Sequence, residues 1–75
     1  MEAVTISLTQ VDQVKRFVNL VAQAPYDVDM VSGRYTVNAK SMLGIYSLDL
    51  SKPIQVLIYS DDCGELKKEL AEFMP

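Results

Sequence analysis

Few side chains in this sequence are equipped for covalent chemistry, and the missing types weigh as much as those present. Histidine is absent and cysteine occurs once, at Cys63. A thiol nucleophile needs a neighbouring base or cation to become a thiolate, and no imidazole exists to serve it. Cys63 is therefore expected to be a small surface or helix-start residue. Asp61-Asp62 is too weak a ligand set for calcium, and zinc would lack its usual nitrogen and sulfur donors. The three glycines are scattered and form no phosphate-cradling loop. Asp12 near a helix start is an ordinary partner of the helix dipole. An acyl phosphate there would require positioned metal and basic groups. Ser41 is the hydroxyl with the most defined setting, because it precedes an apolar helical segment as a candidate N-cap. Free N–H groups at such a helix start favour a phosphate. The expectation is a protein with no catalytic apparatus, no metal and no cofactor.

These residues must be held by a small scaffold. The chain has 75 residues, which predicts a single domain over 1–75. A domain of this size buries only about 60% of its unfolded surface, so exposed apolar residues are candidates for a partner surface. Hydrophobic residues make up 49% and charged residues 23%, a globular composition. The formal charge is -3, and basic residues cluster only as the pairs Lys15–Arg16 and Lys67–Lys68. Nucleic-acid binding, which wants a basic stripe, is not expected. No apolar run approaches the roughly 20 residues that span a bilayer, so membrane insertion is not expected either. A lone cysteine and an N-terminus without a signal-peptide pattern point to a reduced, cytoplasmic setting.

Periodicity supplies the elements. Val4, Ile6 and Leu8 alternate with Thr5 and Ser7, which predicts a strand over 3–8. Thr9 and Asp12 form a weak capping pair ahead of a helix over about 10–24, whose stripe is Val11, Val14, Phe17, Val18, Leu20 and Val21. Pro25 ends it. Tyr26, Val28 and Met30 predict a second strand, Ser32-Gly33 a turn, and Tyr35, Val37 and Ala39 a third strand, the two forming a hairpin. A short helix is expected over 41–50 and a fourth strand over 54–59. Asp62 and Glu65 have capping-box spacing ahead of a last helix that buries Leu66, Leu70 and Phe73. The order β-α-β-β-α-β-α, with strands apolar on one face, predicts an α+β open-faced sandwich. A four-stranded antiparallel sheet would carry three helices on one side.

One segment is more specific. Lys40-Ser41, Met42-Leu43, Gly44, Ile45-Tyr46 and Ser47-Leu48 resemble the HPr family, the small phosphocarriers of the bacterial sugar phosphotransferase system. The element order matches that family's fold over essentially the whole chain. HPr carries phosphate on a histidine at the start of its first helix, followed closely by arginine and proline. The equivalent stretch, Thr9 to Lys15, places that position near Asp12 or Gln13 and contains none of the three. The resemblance implies a scaffold kept without its phosphohistidine relay. It also implies that Ser41 corresponds to the serine that a regulatory, ATP-dependent kinase modifies in low-GC Gram-positive HPr proteins. Lys40, Met42, Leu43, Tyr46 and Ser47 become the expected partner-binding residues. HPr kinase, a catabolite-control repressor or phosphotransferase-system proteins such as enzyme I become the expected partners. Arg16 would flank the patch with Lys40. Tyr26, Tyr35 and Tyr59 are read as sheet packing. Two alternatives stand beside this regulatory adaptor: a constitutive binding module without phosphorylation, and an atypical phosphocarrier using Asp12 or Cys63.

Overall fold

The computed structural model describes residues 1–75 and orders the elements as the alternation patterns require. They are β1 (Glu2–Ile6), α1 (Val11–Ala22), β2 (Val28–Ser32), β3 (Tyr35–Asn38), α2 (Met42–Tyr46), β4 (Ile54–Ile58) and α3 (Gly64–Leu70). A single 3-10 turn, Ala71–Phe73, extends α3. The strands form one antiparallel sheet in the order β1-β4-β2-β3, with three helices completing the α+β sandwich. β1 and β2 run parallel, and β4 inserts between them.

The core lies on one face of the sheet. Ile6, Val28, Met30, Ile54, Val56 and Ile58 turn inward against Val14, Phe17 and Val21 of α1, Ile45 of α2, and Leu66 and Leu70 of α3. Phe17 and Phe73 meet edge to face with centroids 5.9 Å apart, a favoured aromatic geometry. No polar or charged residue is buried. The hairpin between β2 and β3 closes on Gly33 and Arg34, and Gly33 holds the positive φ of +59° that a tight two-residue turn needs.

Several expected details are corrected. β1 stops at Ile6 because the Ser7 N–H turns away to the Phe73 carbonyl at 2.7 Å, although Leu8 still reaches the core. Gln10, not Thr9, is the N-cap of α1, and Asp12 takes no part in it. The Gln13 Oε1 instead accepts from the Thr9 and Gln10 N–H groups at 2.7 and 3.1 Å. Val11 was expected in the buried stripe, but it opens the helix beyond the cover and is 55% exposed. Tyr26 lies in the loop before β2. Tyr35 is exposed on edge strand β3, and Tyr59 follows β4 and donates its hydroxyl to Asp29. The second helix is only 42–46, not 41–50. Ser47 caps its C-terminus, and the Asp49 carboxylate binds the Ser51 N–H in a turn that redirects the chain. The Asp62–Glu65 cap does not form: Cys63 occupies the N-cap position and is buried, not on the surface.

Candidate functional site

The Lys40–Ser47 segment is built by short-range bonds. The Asn38 side chain accepts from the Lys40 N–H at 2.8 Å, and its carbonyl accepts from the Ser41 N–H at 3.0 Å. The chain thus turns from β3 with Ser41 in extended geometry at the N-cap of α2. The half-buried Ser41 Oγ accepts from the Gly44 N–H at 3.2 Å, satisfying one of the orphan donors of the first turn. Gly44 is needed for close approach. A Cβ on it would stand 3.2 Å from the Val37 Cβ and 3.4 Å from the Ser41 Oγ. α2 therefore lies so close to β3 that an added Cβ would press on Val37 and require it to give by a few tenths of an ångström.

That approach decides what α2 shows to water. Ile45 is fully buried and Leu48 nearly so, whereas Met42, Leu43 and Tyr46 are 38%, 85% and 44% exposed. Ser47 is exposed and its hydroxyl donates to the Gly44 carbonyl. Lys40 is held differently. Its Nζ crosses to the Ala24 carbonyl at 2.9 Å, where α1 has no basic residue in its last turn. The ammonium there complements the negative end of the helix. Arg16 is also occupied, pairing with Glu72 at 3.3 Å above the Phe73 ring.

Between α2 and the start of α1 lies an open groove of about 350 Å³. Leu8, Val11, Val14, Tyr46 and Leu50 form its apolar walls, and Thr9, Gln10 and Ser51 supply neutral polar groups. No charged residue lines it. Beside it, the Asp49 carboxyl is held below the usual range by the Ser51 hydroxyl and N–H. The groove can take an apolar group but has no base or nucleophile to move a proton. The sequence motif pointed to the α2 side of this groove and missed the α1 side; the exposed Val11 at the head of an apolar stripe was its only trace. Asp12 is exposed with no side-chain partner, Cys63 is buried at the N-cap of α3, and neither bonds to Ser41, whose hydroxyl meets the Gly44 N–H.

The four-stranded sheet and its three helices have the architecture of the HPr phosphocarriers. Two solved structures carry the likeness. The first, HPr-C-His from Thermoanaerobacter tengcongensis, is 26% identical with a TM-score of 0.80, covering 96% of this chain and 89% of that one. The phosphocarrier protein HPr from Bacillus anthracis str. Ames is 27% identical with a TM-score of 0.73, covering 99% and 94%. No protein-family model and no curated protein sequence matches the chain. The chain thus has an HPr-like fold, which supports a relation to the phosphotransferase-system phosphocarriers. No helix is long and apolar enough to cross a membrane.

Proposed function

We propose that this HPr-like chain is a single-domain adaptor that docks other proteins through α2 and carries out no chemistry of its own. The observation that carries the reading is the exposure of Met42, Leu43 and Tyr46 beside the fully buried Ile45. A five-residue helix in a small domain exposes three large apolar side chains at a real solvation cost, and such patches mark interaction surfaces. Methionine adapts its shape and tyrosine anchors interfaces. The neutral groove beside Tyr46 extends the same surface. A phosphohistidine relay has no acceptor here, since the chain contains no histidine.

Ser41 is the proposed point of control. A phosphate on its Oγ would bring about two negative charges to the start of α2, next to the apolar face. HPr kinase, a catabolite-control repressor and phosphotransferase-system proteins are the partners that the HPr likeness suggests. Lys40 serves this surface from behind, through its bond to Ala24.

Intact mass after incubation with an HPr kinase and ATP tests the switch, with Ser41→Ala as control. A gain of one phosphate on the natural chain alone is the expected result. No gain, with an ordinary HPr phosphorylated in the same tube, would remove the switch and leave a constitutive docking module.

A further inference from the structure

Lys40 holds both sides of a corner. Its backbone N–H donates to the Asn38 side chain at 2.8 Å, which fixes the turn that delivers Ser41 to the start of α2. Its Nζ donates to the Ala24 carbonyl at 2.9 Å, a partly buried bond across sixteen residues. Ala24 lies just beyond α1, where the Gln23 and Ala24 N–H groups close the last turn on the Leu20 and Val21 carbonyls at 3.3 and 3.1 Å. The last carbonyls of a helix lack partners within it, and α1 brings no basic residue in its last turn. The Lys40 ammonium therefore supplies the cation that the negative end of α1 would otherwise lack.

The same ammonium belongs to the residue next to Ser41. Adjacent Cα atoms are about 3.8 Å apart, and lysine carries its charge on a flexible four-carbon stem. α2 itself contains no lysine or arginine, and none lines the groove beside it. Arg16 is paired with Glu72 and Lys67 with Glu2. Phosphate transfer from ATP to the Ser41 Oγ forms an O–P bond, releases ADP and a proton, and leaves about two negative charges there. Lys40 then has two acceptors to choose between. One is a neutral carbonyl at a helix end worth about half a charge. The other is a dianion one residue away, which adds full Coulomb attraction to the hydrogen bond.

We propose that Lys40 is a latch that phosphate on Ser41 draws off the end of α1: its ammonium leaves the Ala24 carbonyl and pairs with the phosphate. This deepens the reading of Ser41 as a point of control and rests on it. The Asn38 bond keeps the Lys40 backbone in place, so only the side chain moves. The consequence reaches past α2. Gln23, Ala24, Pro25 and Tyr26 line the surface at the end of α1, so a modification at Ser41 alters that face as well as the docking helix.

The test compares amide shifts and hydrogen exchange in two ¹⁵N-labelled full chains, one with unmodified Ser41 and one made with phosphate already on the Ser41 Oγ by genetically encoded phosphoserine. A matching pair carries Lys40→Met, which keeps an apolar stem and removes the ammonium. Phosphate should shift the Gln23 and Ala24 amides of the natural chain and quicken their exchange about threefold to tenfold, as loss of one hydrogen bond implies. Lys40→Met alone should do the same, and phosphate should then add nothing at these two positions. The proposal falls if phosphate alters only residues 40–47, or if it moves Gln23 and Ala24 equally in the Lys40→Met pair. Failure of an HPr kinase to modify the natural chain is a separate result. It removes the kinase reading of Ser41 without touching what the encoded phosphate does to Lys40.

Discussion

α2 and α3 are both short helices laid over the same sheet face, yet they treat water in opposite ways. α3 buries Leu66 and Leu70 and turns Glu65, Lys68 and Glu69 outward, while Lys67 reaches Glu2 at 2.7 Å. α2 buries Ile45 and turns Met42, Leu43 and Tyr46 outward. The chain has enough charged residues to dress both helices and dresses only one. Exposed apolar area on α2 is therefore a local property of that helix and not a general consequence of small size. α3 is the internal control that gives the exposure its meaning.

The contrast breaks most visibly by truncating one leucine on each helix. Leu70→Ala removes a fully buried side chain and is expected to cost about 2–5 kcal/mol. Leu43→Ala removes one that is 85% exposed and should stay within about 0.5 kcal/mol of the parent. Urea unfolding of the two variants measures the difference. A large loss at Leu43 would mean that α2 packs inward and is no docking face. Gly44→Val comes next. Its side chain would have to enter the space of Val37, and overpacking of this kind costs about 1–3 kcal/mol. The same unfolding experiment reads it, and amide shifts confined to α2 and β3 should show the helix lifting away.

The smallest effect is electrostatic. The Lys67 hydrogen bond and charge hold the Glu2 carboxyl below its ordinary pKa of 4.5, and Glu2 in turn raises Lys67 above 10.5. A lowered carboxyl contributes stability above its ordinary pKa, and that contribution fades as pH falls through the folded value. A raised ammonium contributes below its ordinary value and loses it as pH rises through the folded one. α2 contains no carboxylate and no amine side chain. Amide exchange in α3 should therefore quicken slightly, relative to α2, on acidification through the carboxylate range. The two side chains are 38% and 41% exposed, so water and added salt reach the pair and salt should reduce the response.

The strands were legible because alternation of Val4 with Thr5 or Val56 with Gln55 states the buried face directly, and Ser32-Gly33 announces the hairpin. Helix existence was equally plain, but helix ends were not. Val11 continues the stripe of α1 in sequence, and only the reach of the neighbouring elements decides that it stays wet. The end of α2 depends on the Asp49–Ser51 turn, which no periodicity reports. For the candidate site, the exposure of Met42, Leu43 and Tyr46 followed from spacing on a helix begun at Ser41. The role of Lys40 did not, because its carbonyl partner lies sixteen residues earlier.

The strand order β1-β4-β2-β3 also carries a consequence for the making of the chain. β1 pairs only with β4, and Glu2 meets Ile58. On a ribosome, β2 and β3 can pair as soon as both have emerged, but β1 must wait unpaired through most of synthesis until its neighbour follows. Pairing so distant in sequence is a slow step in folding. The sheet is completed late, from its middle, by the strand that joins its two waiting halves.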